Sequence, residues 1–126
     1  MAFVTDMTEH KKALALAAEV QKSLLPQGKP IVKGLDIAGK NVSCDEIGGD
    51  YFDFIQINED RMAVCLGDVS GKGLPAAILM ANLQAAVRSQ ALLDATAKDC
   101  TDRSNKLLFR NTDLGKFVTF FYGILD

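Results

Sequence analysis

The sequence GGDYFDFIQINEDRMAVCLGDV, at residues 48–69, predicts a β-hairpin. Two runs of strand-forming side chains, residues 51–57 and 62–69, flank Asn58-Glu59-Asp60, which is a typical turn sequence. If these three residues form the whole loop, the residues on either side of it pair with each other. The loop length therefore sets the register of the hairpin, and with it the face of the sheet on which each side chain lies.

This register places Asp50 directly opposite Asp68. Opposed residues on antiparallel strands have Cβ atoms ~5 Å apart on one face of the sheet, so two carboxylates there repel each other. Either one of them keeps a proton or a cation lies between them, and oxygen ligands without His or Cys favour magnesium or manganese over zinc. Asp53 is a third acidic residue nearby in sequence. In the alternative, structural interpretation, Asp50 is a turn residue after two glycines and Asp68 caps the loop after its strand.

The residues ahead of the hairpin predict a helix and then a weak strand. Apolar side chains recur at helical spacing from Thr8 to Leu25, Thr8 can cap the first turn, and Pro26 ends the helix. Residues 35–43 alternate weakly, as a half-exposed strand does. The helix has a narrow apolar stripe, which packs either on its own domain or on another helix. The stripe consists of Ala13, Leu16, Ala17, Val20 and Leu24.

The residues after the hairpin predict two helices and a final strand, at 76–93, 99–110 and 117–125. Pro75 suits the first turn of the first helix, which is apolar on most faces and is therefore expected to be buried. In the second helix we expect Leu107 and Leu108 to face inward. The whole chain then reads as an α+β fold, in which helices flank an antiparallel sheet.

The composition indicates one globular domain whose chemistry comes from carboxylates. The chain has 126 residues, and none of its apolar runs approaches the ~18 residues that span a bilayer. Its 14 basic and 16 acidic residues give a net charge of −2, whereas nucleic-acid-binding proteins usually have a basic excess. We therefore expect a cytoplasmic protein with no nucleic-acid partner and no membrane insertion.

The cysteines and the histidine narrow the chemistry further. Cys44, Cys65 and Cys100 lack the spacing of a zinc site or a disulfide framework, and Cys65 reads as a core residue. His10 is the single histidine, which excludes a His-rich metal cluster. The glycine-rich residues 67–73 do not match a phosphate-binding P-loop, because the spacing between the glycines is too short.

Four segments together resemble the SpoIIE/RsbU branch of the PPM-type (protein phosphatase 2C-like) serine/threonine phosphatases. They occur in the family's order and at plausible spacing, and the resemblance covers the chain from about residue 14 to its end. The segments are AAEVQKSLLP at residues 17–26, EIGGDYFDF at 46–54, GDVSGKGLPAA at 67–77 and FVTFFYG at 117–123.

The resemblance implies part of an α-β-β-α sandwich that holds a pair of Mg²⁺ or Mn²⁺ ions. By the family's motifs, Asp50 would be a metal ligand, Asp68 the bridging ligand, and the backbone carbonyl of Val69 a further oxygen ligand. The ions would activate a water for in-line attack on phosphorus, without a phosphoenzyme. Residues 1–26 would be a leading helix that relays signals from an upstream sensor domain, and residues 27–126 the first part of the phosphatase domain.

The same resemblance suggests a substrate and a role. The substrate would be a phosphorylated regulator protein, such as an anti-sigma factor antagonist, in bacterial signalling. The family's domain continues with more strands and a Thr-Asp-Gly motif that this sequence lacks. We therefore expect the chain by itself to be inactive, to bind metal only loosely, and to form a homodimer or larger oligomer. The alternative is a regulatory or interaction module that keeps the fold without the chemistry.

Overall fold

A computed structural model describes residues 2–43, 46–113 and 115–126, and in residues 2–7 the backbone alone. It confirms the α+β class with an antiparallel sheet. The elements are α1 (Ala2–Ser23), β1 (Asp50–Gln56), β2 (Met62–Val69), α2 (Gly73–Leu92), α3 (Ala97–Asn111) and β3 (Val118–Leu125). None of these helices is both long and apolar enough to cross a membrane.

The sheet has three strands in the order β1-β2-β3, and both neighbouring pairs are antiparallel. The predicted hairpin register is confirmed, because β1 and β2 pair from Asp50↔Asp68 to Gln56↔Met62. At the loop, the Ile57 N–H donates to the Arg61 carbonyl over 3.0 Å. On the other side of β2, Asp68 lies opposite Thr119 of β3.

The prediction of a strand over residues 35–43 is wrong. This segment is irregular. Among the described residues, its one β-bridge outside the named strands joins Leu35 to Val32. A Cβ on Gly39 would lie 2.5 Å from a ring carbon of Phe52. The segment therefore runs over the ring of Phe52 on the face of the sheet, where it cannot continue the hydrogen-bond ladder along the edge.

The helices differ from the prediction in their bounds and in one buried residue. α1 begins at Ala2, so Thr8 lies inside the helix and does not cap it. α3 begins at Ala97, where the Thr96 side chain accepts a hydrogen bond from the Asp99 N–H. The prediction that Leu107 faces inward is also wrong, because 47% of this residue is exposed.

The buried positions of α3 explain that error. Cys100 and Ser104 are buried and Leu108 is half-buried, which is one helical face at a spacing of four residues. Leu107 precedes Leu108 by one residue and so points about 100° away from that face.

The core lies between α2 and the inner face of the sheet. Its strand residues include Tyr51, Ile55, Ala63, Cys65 and Val69, and its α2 residues include Leu79, Met80, Leu83 and Val87. Cys65 is buried, as predicted, and Cys100 of α3 is buried beside it in the same cluster. Cys44 lies outside the described residues.

One ion pair is buried in this core. The Asp53 carboxylate is fully buried and accepts two hydrogen bonds from Arg88 of α2, each of 2.7 Å. Its other partners are the Tyr51 hydroxyl at 2.6 Å and the Phe54 N–H at 2.9 Å. The hydrogen bond to Asp53 raises the pKa of Arg88. Because both carboxylate oxygens have partners, the charge is tolerated inside the protein.

The outer face of the sheet is apolar and largely open. It carries Phe52, Phe54, Val64, Leu66 and Phe121, with more than 60% of the Leu66 and Phe121 side chains exposed. In a two-sheet sandwich, a second sheet packs on such a face. Self-association of the chain through uncovered apolar surface stays a prediction.

Replacing Arg88 tests the buried ion pair. We expect Arg88→Met to lower the free energy of unfolding by about 3 kcal/mol, because it leaves the Asp53 carboxylate buried without its ionic partner. Chemical denaturation measures the loss. Arg103→Met removes an arginine from the exposed side of α3 and should change the same quantity by less than about 0.5 kcal/mol. Equal, small losses in the two variants would show that the buried pair does not stabilise the fold.

Part of the apolar stripe on α1 packs on the core and part of it is exposed, so the two parts can be tested separately. Leu24 packs against the core cluster, whereas Leu16 and Val20 are more than half exposed. We expect Val20→Asp to shift the chain toward monomer in sedimentation analysis and to leave its thermal unfolding midpoint unchanged. Leu24→Asp should lower that midpoint, because it places a charge against the core. If Val20→Asp leaves the association unchanged, α1 does not pair with a second copy.

Candidate functional site

The two aspartates that the hairpin register brings together lie at one end of the sheet. Asp50 is the first residue of β1 and Asp68 the penultimate residue of β2, and they are direct partners in the ladder. Both side chains are exposed on the outer face, and they line a cleft of about 590 Å³. The other residues of the cleft include Lys40, Asn41, Val42, Phe52, Leu66, Thr119 and Phe121.

The electrostatics of the pair follow from this placement. The pKa of the Asp50 carboxyl is raised, first by partial burial, then by a hydrogen bond with Asp68 and by the negative charge of Asp68. Two carboxylates held this close repel each other, and a shared proton or a cation between them relieves the repulsion. The site thus favours binding of positive charge.

Glycine makes the close approach of the backbone possible on the β1 side of the site. A Cβ on Gly49 would lie 2.8 Å from the Val69 Cβ and 3.0 Å from the Val69 carbonyl oxygen. The Val69 N–H also donates to the Gly49 carbonyl over 3.2 Å. A larger residue at position 49 would therefore push apart the two strand ends that carry the aspartates.

On the β2 side, a second glycine lets the strand approach α2. A Cβ on Gly67 would lie 3.0 Å from a methyl carbon of Leu83 and 3.3 Å from the ring of Phe120. Asp68 thus follows a residue that is packed tightly on the core. Val69, which comes next, is buried, and its carbonyl oxygen faces Gly49 across the strand ends.

Asp53, the third acidic residue of the hairpin, does not join the site. It lies on the inner face, where Arg88 binds it, because odd and even positions of a strand point to opposite faces. Over the described residues, no group of three or more His, Cys, Asp or Glu side chains could hold a metal ion. Among the described residues that line the cleft, the carboxylates are those of Asp50 and Asp68.

The sequence did not point to one residue that contacts this site, Gln21 of α1. Its side-chain amide donates to the Gly48 carbonyl and accepts the Gly48 N–H, the latter over 3.2 Å. Gln21 lies in the segment AAEVQKSLLP, but an uncharged amide inside a helix gave no chemical signal. The two partners are 27 residues apart, so no local pattern predicts the contact.

Comparison with known proteins identifies relatives of the chain. The family model of stage II sporulation protein E (SpoIIE) matches residues 58–126. Phosphoserine phosphatase RsbU of Bacillus subtilis (strain 168) is 31% identical over 114 residues, which are 90% of this chain and 34% of that protein. The chain thus spans about a third of the length of this curated relative.

A solved structure shows the same fold. The crystal structure of the RsbU and RsbW domains of Rv1364c from Mycobacterium tuberculosis superposes with a TM-score of 0.58 at 29% identity. The match covers 68% of this chain and 23% of that one. The antiparallel sheet and its helices therefore form a fragment of an RsbU-like fold.

When no divalent ions are present, removing one charge of the aspartate pair should stabilise the protein. The raised pKa of Asp50 means that its ionised form costs the folded state free energy at neutral pH, and that this cost disappears below the ordinary pKa of about 4. We expect Asp68→Asn to raise the thermal unfolding midpoint by ~2 °C at pH 7, a small effect because the pair is exposed and screened.

The gain should vanish at low pH, where the wild-type pair is already neutral. Asp60→Asn, in the exposed hairpin loop, is the matched control and should have no such pH-dependent gain. A lower midpoint for Asp68→Asn at both pH values would contradict repulsion within the pair. Scanning calorimetry in the presence of a chelator measures both midpoints.

Proposed function

Because the chain belongs to the SpoIIE family, we propose that it forms part of a metal-dependent protein serine/threonine phosphatase. The observation that carries the proposal is the register that sets Asp50 opposite Asp68 on an exposed edge of the sheet. Their carboxylates are hard oxygen ligands, and the repulsion between them favours a divalent cation. The donor set fits magnesium or manganese better than zinc.

The proposal gives each residue of the site a role. Asp50 would hold one ion, Asp68 would bridge two, and the Val69 carbonyl would add an oxygen ligand. When bound, such a pair of ions supplies Lewis acidity and a water activated for in-line attack on phosphorus. The residues of this chain fix the two carboxylates on paired strands, so that little rearrangement is needed when cations bind.

The cysteines of the core do not offer a covalent alternative. Burial raises the pKa of Cys65 to about 12, and burial also raises the pKa of Cys100. A nucleophilic cysteine needs a low pKa and access to the substrate, and these two thiols have neither. Neither described cysteine is therefore suited to form a cysteinyl-phosphate intermediate. This supports a mechanism in which water attacks the phosphoryl group directly.

The names of the relatives suggest the substrate class. One relative is a phosphoserine phosphatase, and the solved structure combines an RsbU domain with an RsbW domain. We propose that the substrate is a phosphoserine or phosphothreonine of a regulator protein, such as an anti-sigma factor antagonist. The reaction would take place in the cytoplasm and regulate a sigma factor.

Phosphate release tests the proposal in the gene product that contains these 126 residues. We expect it to release phosphate from a phosphoserine-bearing regulator with Mn²⁺ or Mg²⁺, and not in the presence of a chelator. Asp68→Asn should lower kcat at least about 100-fold, because the bridging charge is lost, while the far-ultraviolet circular dichroism spectrum stays unchanged. Asp60→Asn is the control and should keep the wild-type rate.

Two other results would contradict this function. If Asp68→Asn releases phosphate at the wild-type rate, Asp68 is not a ligand of the catalytic metal ions. A wild-type gene product that binds the phosphorylated regulator but releases no phosphate with Mn²⁺ would favour the regulatory module instead. Residues 1–126 alone are expected to show negligible turnover in the same assay, since the described residues bring only two carboxylates, those of Asp50 and Asp68, to the cleft.

A further inference from the structure

In the contact between Gln21 and Gly48, one side chain forms hydrogen bonds with both backbone groups of one residue. The amide Nε2 donates to the Gly48 carbonyl, and Oε1 accepts the Gly48 N–H over 3.2 Å. Two residues exchange a pair of hydrogen bonds in this way when they face each other in an antiparallel sheet. The contact therefore fixes both the position and the orientation of the chain at Gly48.

Gly48 lies two residues before Asp50, and the residue between them is tightly packed. A Cβ on Gly49 would lie 2.8 Å from Val69 and 3.2 Å from the Ala76 Cβ of α2. A shift of the chain at Gly48 thus cannot be absorbed at Gly49 without moving Asp50 or Val69. These are two of the three residues that the proposed function assigns to the metal ions.

Among the described side chains of residues 8–25, those buried or packed on the core include three close to Gln21. Ala18, one turn earlier, is buried, and Leu24 and Leu25, just after it, pack against the core. The Leu24 carbonyl also accepts a hydrogen bond of 3.5 Å from Gln84 of α2. A cleft of about 470 Å³ lies beside this contact, and its walls include Lys22, Gly48 and Asp50.

We propose that Gln21 is a positioning residue, which holds the Gly48 backbone and thereby makes the cation affinity of the Asp50–Asp68 pair depend on the position of α1. The proposal rests on the proposed function for its metal and on the hydrogen bonds for its geometry. Simple packing of α1 needs only its apolar residues. The amide adds a connection to the backbone of the site, which apolar contacts do not provide.

Two substitutions of Gln21 separate positioning from packing. Gln21→Met keeps the length and the helix propensity of the side chain and removes both hydrogen bonds. Gln21→Glu keeps the acceptor for the Gly48 N–H and loses the donor to its carbonyl. Gln27→Met is the matched control, because Gln27 is exposed and its hydrogen bonds go to Lys22 and Leu25 at the end of the helix.

The first measurement does not involve metal. We expect the backbone N–H of Gly48 to exchange with solvent deuterium ~5-fold faster in Gln21→Met than in wild type, because a hydrogen bond that protects it is lost. Gln21→Glu should lie between them, and Gln27→Met should match wild type. The thermal unfolding midpoint of Gln21→Met should stay within ~3 °C of wild type, which separates local release of Gly48 from loss of the fold.

The second measurement is the affinity of the gene product that contains these 126 residues for Mn²⁺, followed by electron paramagnetic resonance of the free ion. We expect Gln21→Met to bind Mn²⁺ about 10-fold more weakly than wild type, as is common when a partner of a ligand-bearing segment is removed. Gln27→Met should keep the wild-type affinity. Asp68→Asn shows the Mn²⁺ affinity that remains when one of the two carboxylates of the site is removed.

The two failures are distinguishable. If wild type binds no more Mn²⁺ than Asp68→Asn does, the proposed function fails, whatever the behaviour of Gln21. If wild type binds Mn²⁺ and Gln21→Met binds it equally well, the positioning role is overturned. Unchanged exchange at Gly48 in Gln21→Met overturns the geometric basis of the proposal.

Discussion

The pairing of β1 with β2 is the constraint on which the rest of the structure depends. Its register sends Asp50 and Asp68 to the outer face and Asp53 to the inner face. A slip of one residue would reverse every side chain of one strand, so the Asp53 charge would leave Arg88 and a carboxylate of the pair would enter the core. The buried ion pair and the exposed aspartate pair therefore require the same register.

The carboxylates on the two faces of the hairpin have opposite kinds of partner. On the inner face, the Asp53 carboxylate has the guanidinium of Arg88, a hydroxyl and an amide as hydrogen-bond partners. On the outer face, Asp50 has another carboxylate as its partner in the ladder, and partial burial together with this neighbour raises the pKa of Asp50. The inner arrangement compensates its charge with protein partners, whereas the outer one leaves a repulsion that positive charge would relieve.

The parts of the fold that could be predicted from the sequence are those set by local patterns. The loop Asn58-Glu59-Asp60 determines the register, and the predicted range of β2 agrees with the observed Met62–Val69. The bonds of Gln21 and of Arg88 could not be predicted, because they join residues 27 and 35 positions apart. The prediction of a strand over residues 35–43 is wrong because alternation along the sequence does not reveal that Gly39 packs on the Phe52 ring.

The candidate site was predictable to the same extent and for the same reason. The register determines that Asp50 and Asp68 lie together and that Asp53 lies on the opposite face, but it does not identify Arg88 of α2 as the partner of Asp53. The family match contains Asp68 and Val69 but begins after Asp50, so the pairing of the strands adds a residue to what that match covers.

The arrangement of the glycines connects these observations. Gly49 and Gly67 precede Asp50 and Asp68, and each is packed so closely that an added Cβ would lie within 3.0 Å of a neighbour. Tight packing of the preceding residue leaves each aspartate little freedom to move away from the other. The repulsion between them therefore persists in the folded chain, because relieving it by backbone motion would disrupt contacts with Val69 on one side and Leu83 on the other. Positive charge near the pair would relieve the repulsion without any such motion of the backbone, which is the physical basis of the proposal that a cation binds here.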